Sequence, residues 1–303
     1  MRLRMRNSRY LHFLGQPQAP YLLIMTCVTF LSGLGLLMVL SASAVQSFEE
    51  SGSTYSIFLK QLLFLGIALI IMGIGLRLHN SYWEKLGRLA LPLGAIALLL
   101  PAVPGIGKQI NGNTNWISFG PIDLQPSEFA KVFLVLWAAF MIERHLNRPI
   151  MVFRSLLAGF SAVLLIVLAG QDLGSAVVIG LILATLLYLA GAEFKQLAFI
   201  ASIGITGVVV LIIAQPYRIA RFTAFLHPFA PDIYKNAGWQ PAHSLLALGS
   251  GGFFGSGLGS SKQKWGNLAE AHTDFIFSVI GEELGLFGTI TVIVALALLV
   301  YTI

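Results

Sequence analysis

The sequence predicts an all-α polytopic membrane protein with one integral-membrane domain over residues 1–303. Two observations carry this. Hydrophobic residues make up 56% of the chain and charged residues only 11%, with a mean hydropathy of +0.81. A soluble domain usually carries about 25% charged residues, so an ordinary cytosolic enzyme, a disordered chain and a fibrous chain are excluded. The apolar residues also gather into runs close to the roughly 20 residues a helix needs to cross a bilayer. The single cysteine, Cys27, excludes an internal disulfide framework and a cysteine-rich zinc site.

About eight spans are expected, near 20–42, 57–76, 87–103, 127–142, 155–170, 174–191, 195–215 and 275–303. The last stretch contains Glu282 and Glu283. It should split at Gly285 into a short re-entrant or interfacial helix and a true span. Residues 1–19 form a basic N-terminus with Arg2, Arg4, Arg6 and Arg9 and without the small-residue cleavage site of a signal peptide. The first span therefore reads as a retained anchor with a cytoplasmic N-terminus. Basic residues recur in alternate short loops: Arg77, Lys85 and Arg88, then Arg144, Arg148 and Arg154, then Lys195. That bias sets the orientation. Residues 216–273 then form a large extracytoplasmic loop between spans seven and eight. It is itself basic, with Arg218, Arg221, Lys235, Lys262 and Lys264. An anionic lipid headgroup would account for those charges.

Polar residues at membrane depth are costly and usually functional. Lys60 can snorkel to the headgroups. Gln125, Pro126 and Ser127 read as a helix start, with proline tolerated in the first turn. Glu128 and Lys131 follow, three residues apart on one face. They form either a structural ion pair or the lining of a polar cavity that opens outward. Asp172, in a very short turn, is either the N-cap of the sixth span or a functional acid.

The outer loop holds the densest signal. Gly249, Gly251, Gly252, Gly255, Gly257 and Gly259 fall within about a dozen residues. The run lacks a Walker lysine and a preceding strand, which excludes a nucleotide P-loop. It serves close packing or close approach of backbone amides to a headgroup. Glu270, His272, Thr273 and Asp274 follow. Thr273 suits an N-cap and Asp274 the first helical position, where the helix dipole favours a carboxylate and partial burial opposes it. An acid there is either a dipole partner or a functional group. His272 stands without a cluster of His or Cys, so no dedicated metal site is expected.

These residues closely resemble the SEDS family (shape, elongation, division and sporulation). The match runs through Tyr217-Arg218, Arg221, Pro228, Gly238-Trp239-Gln240 and Ser244, then Gly251 to Ser260, Glu270 to Phe277 and Gly281 to Gly285. A second signature is Asn111-Gly112, Trp116-Ile117, Gln125 to Glu128 and Lys131. Asp172 to Ser175 is a third. The Ala271 to Phe277 wording and Ser41-Ala42-Ser43 are closer to the division branch (FtsW) than to the elongation branch (RodA). Four positions depart from the pattern: Asn115 stands where Arg is common, Gln171 and Ala269 where Pro is, and His243 where Gln is. The family has ten spans, so the chain reads as C-terminally incomplete or naturally short.

The resemblance implies a peptidoglycan glycosyltransferase that polymerises lipid II at the outer face of the bacterial cytoplasmic membrane, here for septal wall synthesis. A class B penicillin-binding protein would crosslink the strands, and other divisome proteins would join them. The family's essential acid falls on Asp274, and its QPSE…K residues fall on Gln125, Ser127, Glu128 and Lys131. Arg218, Arg221, Lys262, Lys264 and Lys131 are candidates for the lipid diphosphate, with Glu270 and His272 beside Asp274. The glycines Gly251, Gly252, Gly255, Gly257 and Gly259 would let the loop approach the headgroup. No cofactor is assigned, and a divalent cation such as magnesium would suit the diphosphate. The alternatives are a lipid II flippase and a non-catalytic divisome scaffold.

Overall fold

A computed structural model describes residues 18–303 apart from 104, 111–112 and 120–121. The arginine-rich N-terminal stretch and the Asn111-Gly112 part of the second signature lie outside the described residues. The described chain has ten α-helices: α1 Ala19–Ser51, α2 Ser56–Arg77, α3 Asn80–Leu99, α4 Pro126–Arg144, α5 Pro149–Ala169, α6 Leu173–Leu189, α7 Phe194–Ile213, α8 Pro216–Leu226, α9 Trp239–Ser250 and α10 Ile276–Thr302.

Each of the eight expected spans coincides with a helix. Six are long and apolar enough to cross a bilayer: α1, α2, α3 with its following 3-10 turn, α5, α7 and α10. The helix α6 is apolar throughout but has only 17 residues. The helix α4 is long enough, yet carries Glu128, Lys131, Glu143 and Arg144. The protein is a multi-pass helical membrane protein. The all-α expectation needs one correction. Three short antiparallel strands, β1 Gly107–Ile110, β2 Asn113–Phe119 and β3 Ile122–Leu124, form a sheet in the order β1-β2-β3 between α3 and α4. Their backbone groups pair with each other where the chain has left the helices, which meets the demand that buried N–H and C=O groups be satisfied. The long loop after α7 is also partly helical, since it contains α8 and α9.

The chain falls into two compact units, one of residues 1–73 and 217–303 and the other of residues 74–216. In the second unit α4, α5 and α6 share a core built on Leu134, Trp137, Leu156, Phe160, Ile179 and Leu187. Close approach depends on Gly159, where a Cβ would stand 2.1 Å from the Trp137 ring. In the first unit α1 packs on α10 through Met38, Ala42, Val279, Ile280 and Val292, with Leu268 and Ala271 of the preceding loop in the same cluster.

One element departs from regular geometry in a way that shapes the site. The helix α10 breaks at Gly285, which adopts φ 67° and ψ −163°. The expected split at this residue is therefore present. The break leaves backbone groups without helical partners, and the glycine-rich loop supplies new ones. Ser256 N–H donates to Glu282 O at 2.9 Å and Gly257 N–H to Glu283 O at 3.0 Å. In return Leu286 N–H donates to Gly252 O at 2.9 Å and Phe287 N–H to Phe253 O at 3.2 Å. Four bonds of a strand-like kind thus mend the helix, as an apolar surrounding requires.

Candidate functional site

In the first unit, the segment between α9 and α10 carries Asp274. Residues 251–275 form turns without a helix or strand, so side chains must hold them. Two glutamates of α10 do so. The Glu282 carboxylate accepts from Ser261 Oγ at 2.6 Å, Lys262 N–H at 2.8 Å and Gln263 N–H at 3.4 Å. The Glu283 carboxylate accepts from Ser41 Oγ on α1 at 2.7 Å and from Lys264 Nζ at 2.9 Å. Lys264 Nζ also donates to Gly259 O at 2.7 Å and contacts Ser41 Oγ at 3.2 Å. The Lys264 and Glu283 side chains are 4% and 0% exposed. A buried charge survives only when paired and hydrogen-bonded, and both conditions are met here.

This network corrects one expectation. Lys264 is not a cation free to meet a diphosphate, because its ammonium is buried on Glu283. Lys262 is exposed and is bonded through its backbone, its N–H donating to Glu282 and its carbonyl accepting from Trp265 N–H. The glycine-rich loop needs a correction too. The amides of Gly255, Ser256 and Gly257 are spent on the protein's own carbonyls rather than offered to a ligand. Its glycines serve close packing: a Cβ on Gly255 would stand 2.1 Å from Glu283 O, and one on Gly251 1.8 Å from Gly281 O.

The carboxylate of Asp274 is exposed and makes no hydrogen bond or ion pair among the described residues. The expected partial burial is not found. Nor is the expected cap: α10 starts at Ile276 with Phe275 at its N-cap, and Thr273 Oγ1 turns back to Glu270 at 3.1 Å from Oε2. The helix therefore starts two residues later than the capping pattern suggested, and the acid precedes it instead of opening it. Glu270 has φ 54°, an unusual value outside glycine, and its carbonyl accepts the N–H groups of Thr273 and Phe275. His272 Nδ1 is buried and lacks a partner among the described residues. Arg218 and Arg221 lie on α8, where both guanidinium groups sit over the Tyr217 ring at 5.4 and 5.9 Å and Arg218 Nε donates to Tyr217 Oη at 2.9 Å.

In the second unit the other two signatures meet. Gln125 is the N-cap of α4 and Pro126 its first residue, as expected. Asp172 is the N-cap of α6 and accepts from Ser175 N–H at 2.9 Å. Ser175 Oγ donates to Asp172 Oδ2 at 2.7 Å and Gln125 Nε2 donates to the same oxygen at 3.1 Å. Ser127 is buried at 3.2 Å from Ser175 Oγ. Gln125 and Ser127 thus tie two helix starts together. Lys131 pairs with Glu128 at 2.8 Å, with Glu128 more than half exposed. A cavity of about 410 Å³ lies between Leu98, Asn115, Ser127, Leu165, Val167 and Asp172. Neither Glu128 nor Lys131 lines this cavity, and the two side chains pair with each other. In the sheet, Lys108 pairs with Asp123 at 2.8 Å. That hydrogen bond, with a second from Ser118, holds the Asp123 carboxyl below its ordinary value.

The motif reading gave no role to Glu282, Glu283, Ser261 and the half-buried Ser41, which together hold the Lys264 it had assigned elsewhere. The signal was two adjacent glutamates inside an apolar run, a placement that demands a partner.

Fold and site together define a multi-pass helical membrane protein whose broken last helix clamps a polar loop ending in a free carboxylate. The chain belongs to the FtsW/RodA/SpoVE family of cell cycle proteins, whose model matches residues 21–303. It is 37% identical over 289 residues to the probable peptidoglycan glycosyltransferase FtsW of Nitrosococcus halophilus, covering 95% of this chain and 74% of that one. It is 41% identical over 276 residues to the protein of the same name from Thioalkalivibrio sulfidiphilus, covering 89% of this chain and 67% of that one. The closeness to the division branch expected from the motif wording is thereby borne out. The fold is similar to the crystal structure of the rod shape determining protein RodA of Thermus thermophilus, with a TM-score of 0.57 at 24% identity over 96% of this chain and 74% of that one. It is also similar to a chain of a peptidoglycan synthase complex, with a TM-score of 0.62 at 23% identity over 95% and 77%.

Proposed function

We propose that the chain is a peptidoglycan glycosyltransferase that polymerises lipid II at the outer face of the cytoplasmic membrane during septal wall synthesis. Family membership and the FtsW names of its relatives support the activity. The basic residues of alternate short loops support a cytoplasmic N-terminus, which puts Asp274 outside. A class B penicillin-binding protein and other divisome proteins are the proposed partners.

Asp274 carries the mechanism, because its carboxylate is exposed and uncommitted in a loop fixed by buried charges. Polymerisation requires a sugar hydroxyl to attack the anomeric carbon of a second lipid II. The O–H proton passes to Asp274 Oδ, the new glycosidic C–O bond forms, and the anomeric bond to the lipid diphosphate breaks. A positioned general base is worth about 10²–10⁴ in rate. Arg218, Arg221 and Lys262 are the proposed cations for the departing diphosphate. Among the described residues no three His, Cys, Asp or Glu side chains gather to hold a metal ion, and no step here runs through one.

The test is Asp274→Ala, assayed for lipid II polymerisation with the partner present and for lipid II translocation in liposomes. Loss of polymer by at least about 10²-fold in a folded variant is expected. Retained polymerisation would sink the assignment. Translocation without any polymer in the native protein would favour a flippase, and rescue of division by the variant would favour a scaffold.

A further inference from the structure

We propose that Lys264 and Glu283 are positioning residues, and that their ion pair closes the Asp274 segment into a loop of defined register. This rests on the reading of Asp274 as the transferase base. The chain leaves the anchored turn at Lys264 and returns to it at Glu283, and the two side chains meet at 2.9 Å. Asp274 stands near the middle of the segment so closed, ten residues from one end and nine from the other. Among the described residues the carboxylate has no hydrogen bond of its own, so its place is set through the backbone: by the Glu270 turn, by Leu268 and Ala271 in the apolar cluster, and by the closure that anchors this segment at both ends.

The closure is built as a lock rather than as a chance surface pair. Both side chains are buried. Ser41 reaches across from α1 to the Glu283 carboxylate, so the anchor is set against a second helix. Glu282, one residue earlier, grips the turn at 261–263 by three donors. The strand-like bonds between residues 252–257 and 282–287 hold the other side of the turn. Any shift of the 261–264 turn along α10 would strand a carboxylate or the ammonium in an apolar place, which is costly. The loop therefore has one register, and Asp274 one position.

The experiment uses the full chain with its transpeptidase partner, measuring kcat and KM for lipid II, the melting temperature, and hydrogen exchange over residues 265–275. Lys264→Met leaves Glu283 buried and unpaired and should lose both stability and turnover. The double variant Lys264→Met with Glu283→Gln removes the charge imbalance. It is expected to regain the native melting temperature, keep KM, exchange faster over 265–275, and remain about 10²-fold low in kcat, the cost of a base misplaced by about 1 Å. Native kcat in that double variant overturns the proposal, and so does a raised KM at unchanged kcat. Ser41→Ala, which removes one donor and leaves the ion pair, keeps the test open if the double variant does not fold. It should lower kcat about ten-fold at unchanged KM, the weight of a hydrogen bond to a charged group, and native turnover there also overturns the proposal. Asp274→Ala is run alongside: an active Asp274→Ala refutes the base assignment, whereas an inactive one beside an active double variant refutes the clamp alone.

Discussion

Replacing Gly285 by alanine is the sharpest test of how the last helix is broken and mended. At φ 67° and ψ −163° the residue occupies a region that is essentially restricted to glycine. The strain of placing an L residue there is about 1–3 kcal/mol. The new methyl would also stand 2.4 Å from Gly255 N and 2.7 Å from Phe253 C and O, all backbone atoms of the loop that mends the helix. Forcing them apart costs about another 1–3 kcal/mol. Together these give about 2–6 kcal/mol, or about 4–12 °C in melting temperature at about 2 °C per kcal/mol for a chain of this size. Gly33→Ala in α1 is the control, because a Cβ there meets nothing within 4 Å. It should be neutral or stabilise by up to about 1 kcal/mol. Both proteins are melted in detergent and followed by size-exclusion fluorescence. A Gly285→Ala protein that melts with the native one would refute the break as a site of backbone contact.

Two further outcomes follow from the second unit. Asp172→Ala removes the N-cap of α6 and the acceptor shared by Ser175 and Gln125. It should cost about 0.5–2 kcal/mol in thermal stability. Asp123 titrates low because Lys108 and Ser118 donate to it, so its contribution is present above the ordinary carboxylate value of 3.8 and is lost as pH falls through the lower folded value. Hydrogen exchange in β3 should accelerate in that acid window and not above it, and Asp123→Asn should abolish the dependence.

What could be read from the residues divides by range. Helices were legible because apolar runs of membrane length carry their own signal. Local polar devices were legible as well: Pro126 as first residue, Asp172 as cap, and Glu128 with Lys131 three apart. The sheet was not, because Gly107–Ile110 and Asn113–Phe119 are short and polar and lack a clean alternation. Lys264 was misread for a different reason. Its partner lies nineteen residues on and its second contact, Ser41, comes from the first span. Nothing local distinguishes a lysine that will be buried on a distant glutamate from one that will greet a phosphate. The cap at Thr273 failed because Glu270, at positive φ, captures the Thr273 hydroxyl before the helix can.

The buried cluster also bears on why this loop is held by charges at all. It contains two carboxylates and one ammonium, so its net charge is negative, and burying it is expensive before any bond is counted. Apolar side chains of the same volume would often stabilise such a place as well or better. They would not, however, distinguish one register of the loop from its neighbours, since an apolar surface tolerates sliding. Directed bonds from Ser41, Ser261, Lys262 and Lys264 do distinguish them. An acid meant to meet a sugar hydroxyl needs placement to within a fraction of an ångström, and it needs to remain free of partners until substrate arrives. A loop fixed from its two ends by buried charge, with the reactive carboxylate left bare between them, satisfies both demands. A hydrogen bond made directly to Asp274 would have satisfied only the first.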